Sequence, residues 1–245
     1  MATDVVKSSK RVMEILEAFD RQRRPMSLND VVQALGYPVS SAAALLKSLV
    51  MLGYLSYDSY SRTYLPTTRI ATLGNWIWDT VVDARILDLM AKVNRITGDT
   101  VTLSALSGVE VQYLHVIPST QPLRFEVAVG FRRAVFVSGT GWALLGALTD
   151  PQIEDLVRQI NFRERDKSKK VPLNVLMERV NTVRKNGYAF SKHMIVRGGG
   201  AIATLLPEAP FQRRFVIAVH GLVEHLEQRE ALIVKTMRAG IRPLR

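Results

Sequence analysis

The stretch SLNDVVQALGYPVSSAAALLKSLVMLGYL, Ser27 to Leu55, limits the fold more than any other part of the chain. Leu28, Val31, Val32 and Leu35 share one helical face, with Ser27 at the start and Asp30 three residues on, a capping-box pattern. Gly36 supplies the stop, since glycine accepts the left-handed conformation that ends a helix. YPVSS then opens a second helix, on which Ala42, Leu45, Leu46, Leu49 and Leu52 form the inner face. Its opposite face carries Ser40, Ser41, Ala43, Ala44, Lys47, Ser48 and Met51. A helix pair of this shape suits DNA reading by its second helix. The Ala-rich middle, however, offers a base edge little to bond with.

The flanking sequence completes a module. From Ser9 a helix runs with Val12, Ile15, Leu16 and Phe19 on one face, and Pro25 marks its stop. After Gly53, YLSYDSYSRTYLP reads as two short strands around Asp58–Arg62. Three helices and a two-stranded wing predict a winged helix-turn-helix over residues 1–66. Helix N-termini attract phosphate, so Ser40 and Ser41 are candidate phosphate or base contacts, and Lys47 a phosphate contact further along. Ala43 and Ala44 retain the ability to touch a thymine methyl. TTRIATLGNWIWDTV reads as a linker helix over 67–80, capped by Thr67 or Thr68. Its paired tryptophans serve either ordinary packing or a partner subunit.

Residues 81–245 alternate helices and strands, which predicts an α+β domain and a two-domain α+β chain overall. Ile86 to Ile96 form a helix stopped by Gly98, and TVTLSALSGVEVQYLHVI a hairpin around Ser107-Gly108. A less regular segment leads into the helix WALLGAL, and another helix starts near Pro151. Leu173 to Asn186 make a further helix, with Gly187 as its stop. A Gly-rich turn at Gly198–Gly200, strands at Ile202–Leu206 and Phe215–Val219, and a helix from Val223 to Met237 close the chain.

Composition narrows the function. The net charge of +11 favours polyanions, yet residues 1–78 hold 9 Lys and Arg against 6 Asp and Glu, and the remainder 24 against 16. The charge therefore supports nucleic-acid binding without locating it, and RERDKSKK (Arg163 to Lys170) reads as a solvated loop. With no Cys, neither disulfides nor thiolate metal sites are available. MATDVVKSSK lacks the apolar core of a secretion signal and no apolar run is long enough for a bilayer, so a cytoplasmic protein without membrane partners is expected. His115, His193, His220 and His225 show no metal-ligand spacing. No nucleophile elbow, phosphate loop or dinucleotide fingerprint is present. No catalytic residue, metal or cofactor is expected, and the chain does not read as an enzyme.

In order and spacing, several stretches resemble the IclR-type transcriptional regulators over essentially the whole chain: SSKRVMEILEAF, the helix-turn-helix segment, TTRIATLG, QPLRFEVAVGFRRAVFVSGTGWALLGAL, VRKNGYAF and RRFVIAVHGL. The resemblance implies a GAF-like effector-binding domain behind the winged helix-turn-helix. It also implies a homodimer or homotetramer on double-stranded operator DNA, a small organic effector, often an acid, and Arg62 at a wing tip that reaches the minor groove or backbone. At the family's effector positions stand Pro122 and Phe125 as apolar walls, Ser138 as a hydroxyl, and Gly139 and Thr140 as a small turn. Ser191-Lys192 replace an acidic residue, Ala201 replaces a frequent Cys, and Ala218 and His220 replace a Ser pair. Val39, Ala43 and Ala44 stand where family members carry Lys, His and Arg, which implies fewer direct base bonds. Trp142 replaces a Lys and implies a larger or more aromatic effector. Against this regulator stand an interaction or dimerisation module with degenerate DNA reading, which a shallow salt dependence would reveal, and an enzyme on the C-terminal domain.

Overall fold

The computed structural model describes residues 5–74, 84–209 and 213–244. The chain forms two compact units, Met1–Asp79 and Thr80–Arg245. Among the described residues no single helix is long and apolar enough to cross a membrane.

The first unit is a winged helix-turn-helix. It comprises α1 (Lys7–Gln22), β1 (Met26–Ser27), α2 (Leu28–Leu35), α3 (Val39–Met51), β2 (Leu55–Asp58), β3 (Thr63–Pro66) and α4 (Thr68–Leu73). Ile15 and Phe19 of α1, Val31 of α2, Leu46 and Leu49 of α3, Met26 and Leu55 form one buried cluster. The capping box is present: Ser27 Oγ accepts from the Asp30 amide while the Asp30 carboxylate accepts from the Ser27 amide. Arg24 pairs with the same carboxylate at 3.0 Å. These bonds, led by those from Arg24 and Ser27, hold Asp30 well below the usual carboxylate range. Gly36 ends α2 at φ 68°, and Arg23, also left-handed, ends α1 ahead of Pro25.

Three details depart from the expected pattern. The wing has a third strand, because β1 pairs with β3 to give the order β1-β3-β2. Leu52 is exposed, since it lies past the last turn of α3 and leaves the inner face. Thr67 holds the N-cap position of α4 without a side-chain cap bond; its hydroxyl donates to the Gly53 carbonyl at 2.6 Å and ties α4 to the chain just past α3. The expected linker helix is seen as Thr68–Leu73, while its tryptophans lie outside the described residues.

The second unit is a six-stranded antiparallel sheet with helices on both faces. Its elements are α5 (Ala84–Thr97), β4 (Thr100–Ser107), β5 (Glu110–Ile117), β6 (Arg132–Ala134), α6 (Gly139–Gly146), α7 (Asp150–Arg163), α8 (Leu173–Asn186), β7 (Ala189–Lys192), β8 (Gly199–Leu205), β9 (Phe215–Leu222) and α9 (Val223–Ile241). The strand order is β6-β5-β4-β9-β8-β7. One sheet face packs on α6 and α8 through Val111, Ala189, Ala203, Val216 and Ala218. α6 sits so close that a Cβ on Gly141 would lie 1.7 Å from the Val135 carbonyl oxygen. Helix α8 spans the residues its periodicity predicts, whereas β6 and β7 were not foreseen. Gly199 and Gly200 begin β8 and do not belong to a free turn.

Candidate functional site

Helix α3 presents two different sides. Ala42, Leu46 and Leu49 are buried, whereas Ser40, Ala44, Lys47 and Ser48 are exposed. Ser41 and Ala43 are half-buried at the edge of this strip. Ser41 is engaged: Arg11 Nη1 donates to its hydroxyl at 2.8 Å while the same guanidinium stacks 4.8 Å from the Tyr37 ring centre. The Tyr37 hydroxyl in turn donates to Glu14. Helix α1 thus braces the first turn of α3. Ser48 bonds back to the Ala44 carbonyl at 2.9 Å, so its hydroxyl is partly committed to its own helix. At the wing, Asp58 accepts from the Tyr60 amide and the Ser61 hydroxyl, closing a turn that holds Arg62 at φ 55°. Tyr60 is almost fully exposed on the same tip.

The second site is a cavity of about 140 Å³ on the sheet face beyond the end of α6. Strand pairing sets its floor: His220 of β9 lies opposite Thr100 of β4 and Ala201 of β8, and Ala201 opposite Ser191 of β7. A register shift between Leu103 and Ser104 leaves Leu114 without a partner and places Tyr113 opposite Ser104. An extra residue of this kind changes which side chains face a given side, and here Tyr113 reaches the cavity. Ser138, at the N-cap of α6, and the segment Met194–Val196 form its walls. A second cavity of about 440 Å³ adjoins it and shares Phe125, Glu126, Val127 and Arg133.

Its polar groups have distinct electrostatics. His220 Nε2 lies 2.8 Å from Thr102 Oγ1, and the ring packs edge-on against Tyr113 with centres 5.9 Å apart. Burial, reinforced by the positive charge of Arg133, lowers the His220 pKa to about 4, so the imidazole is neutral at neutral pH. Burial pushes the Tyr113 hydroxyl upward, opposed by the nearby Arg133 guanidinium. Ser138 Oγ accepts from the Gly141 amide at 3.2 Å. Among the described residues no group of His, Asp and Glu is arranged to hold a metal ion.

Of the expected effector residues, Phe125, Ser138, Ala201 and His220 line this cavity. Pro122 is exposed on the covering loop and lines neither cavity. Gly139 and Thr140 are buried in the first turn of α6, and Ala218 lies in the core beneath it. Trp142 does not enlarge the cavity; its Nε1 donates to the Phe136 carbonyl and its ring packs in the helical core under Arg179. Lys192 pairs with Glu227 of α9. Sequence reasoning missed Arg133 and Tyr113; of the Ser191-Lys192 pair it placed at the pocket, Ser191 lines the cavity. Strand β6 spans only Arg132–Ala134, too short for alternation to mark Arg133 in the sequence.

With this geometry, the comparisons with known proteins decide the family. The family model of the IclR helix-turn-helix domain matches residues 8–59, and that of the bacterial transcriptional regulator IclR C-terminal domain matches residues 80–240. The chain belongs to the IclR family of transcriptional regulators. Among curated IclR relatives, the HTH-type transcriptional regulator KdgR of Escherichia coli is 24% identical over 220 residues, 89% of this chain and 81% of KdgR. An IclR transcriptional regulator from Alicyclobacillus acidocaldarius superposes with a TM-score of 0.72 at 22% identity, over 96% of each chain. An IclR homologue from Microbacterium hydrocarbonoxydans, solved with 4-hydroxybenzoate, gives 0.69 at 18% identity, over 95% of this chain and all of that one.

Proposed function

We propose that this regulator binds double-stranded operator DNA in the cytoplasm as a homodimer or homotetramer, and that a small organic acid in the sheet cavity changes its affinity. The exposed strip of α3 lies in the major groove in this reading: Ser40 and Ser41 contact phosphate or a base edge, Lys47 a phosphate, and Ala43 and Ala44 thymine methyls. Arg62 meets the backbone or minor groove from the wing. The observation that carries the reading is the division of α3, whose apolar side is consumed by the core while its Ser, Ala and Lys side remains exposed beside the wing. With Arg-type bidentate readout absent from mid-helix, shape supplies more of the specificity.

The cavity reads as a binding site and not as a catalytic one. Ser138 is engaged in capping α6, and His220 bonds to Thr102 with its basicity suppressed. The aromatic acid bound by the Microbacterium homologue supports placing organic acids in the ligand class. Operator affinity measured by fluorescence anisotropy across a salt series tests the DNA reading. Counterion release from several phosphates gives a log–log slope steeper than about −3. A slope near zero would favour a protein-interaction module, a reading to which the exposed Met51 and Leu52 at the end of α3 also point.

A further inference from the structure

Arg133 is a half-buried cation whose Nε is shut off from solvent. Strand β6 pairs Arg133 with Val111 and Arg132 with Gln112. Val111 belongs to the buried cluster under α6, so Arg133 faces inward while Arg132 is exposed. The Arg133 side chain borders both cavities. Its Nε is buried with no hydrogen-bond partner, and no carboxylate among the described residues forms an ion pair with it. Its neighbours are the Phe131 ring, 5.2 Å away, and the Tyr113 hydroxyl. A desolvated guanidinium is stabilised by a matching anion, and its planar fork fits a carboxylate.

We propose that Arg133 holds the carboxylate of the effector, and that the site thereby selects organic monocarboxylates with an apolar body. The inference rests on the reading of this cavity as the effector site. The inner cavity is small, whereas the outer one falls within the roughly 300–1,000 Å³ of small-molecule sites. A ligand fixed at Arg133 extends its body along Phe125 and Val127, which line both. Charge selection follows from the same geometry. His220 adds no second positive charge at neutral pH. Arg124 borders only the outer cavity and Glu126 borders both, so the two cavities together carry one net positive charge. One net cation suits one carboxylate.

The test is calorimetric titration of the full-length protein with benzoate, phenylacetate and hexanoate, with their methyl esters, and with terephthalate and adipate. The expected result is binding of at least one monocarboxylate, with its ester and the dicarboxylates weaker by about tenfold or more. Arg133→Met weakens the monocarboxylate by a similar factor and leaves the ester unchanged, while Arg133→Lys retains an intermediate affinity. Should Arg133→Met fail to fold, Arg133→Gln carries the comparison. Equal affinity in the charge-free variant, preference for the ester, or no carboxylate binding by a protein that still binds operator overturns the anchor and leaves the DNA reading standing. A wild-type protein that binds carboxylates through Arg133 but shows no salt-dependent DNA binding overturns the DNA reading alone.

Discussion

The outward strip of α3 and the cavity on the large sheet, the two surfaces proposed for recognition, are built differently. The strip comes from one helix within Ser40–Met51, and its chemistry follows from a single period of 3.6 residues. The cavity draws Tyr113, Phe125, Arg133, Ser138, Ser191, Ala201 and His220 from strands, a loop and a helix start spread over more than a hundred residues. An exposed side chain on the strip, such as Ser40 or Lys47, is therefore replaceable without disturbing the fold. One in or beneath the cavity is held by strand register and by the close approach of α6. Binding and stability separate in the first surface and remain coupled in the second.

The largest effect that would sharpen this contrast is expected at Gly141. Gly141→Ala drives a Cβ into the Val135 carbonyl, and because backbone must move the destabilisation reaches about 3 kcal/mol or more. A thermal melt followed by circular dichroism reads this; a shift within ordinary surface-mutation scatter, about 0.5 kcal/mol, would break the argument that α6 fixes the cavity. Next comes acid. The folded His220 has a pKa of about 4 against an ordinary value of 6.5, so between those values the unfolded chain binds more protons and stability falls as pH falls. His220→Gln should flatten the melting temperature between about pH 6.5 and 4. A slope equal to wild type would show that the imidazole is not the group responsible.

Smaller effects belong to the reading helix. Lys47→Glu should weaken operator binding by about tenfold and reduce the salt slope by about one, with the melting temperature unchanged. Ser40→Ala combined with Ser41→Ala should act in the same direction. If all of these bind as wild type, α3 is not the reader. The smallest effect is expected at Arg62, whose φ of 55° suits glycine. Arg62→Gly should leave stability unchanged or raise it by less than about 1 kcal/mol, and weaken binding less than the charge reversal at Lys47. A clear loss of stability would show that the left-handed backbone at Arg62 carries no strain for glycine to relieve.

Legibility in the sequence followed the same division. Local signals were readable: the Ser27–Asp30 box, the Gly36 stop, and the helix Leu173–Asn186 all have causes within a few residues. Thr67 occupies the N-cap position as read, but its hydroxyl bonds to Gly53 across the wing, a partner that local sequence does not show. Strands β6 and β7 are only three and four residues long and exist through their neighbours, so no alternating run announced them. Half of the expected effector residues line the cavity. Tyr113 was hidden because one extra residue in β5 inverts the alternation on which strand reading depends. Arg133 gave no sign in the sequence, because it is the pairing with Val111 that turns it inward.

The bond from Arg11 to Ser41 has a chemical consequence at the start of α3, if DNA lies there as proposed. One lone pair of that hydroxyl is already taken by a guanidinium proton, and a serine oxygen has two lone pairs and a single proton. A nucleotide that approaches it therefore meets above all a proton to be given. Phosphate oxygens, guanine O6 and N7 or thymine O4 satisfy that offer, while the amino groups of adenine and cytosine compete for what little accepting capacity is left.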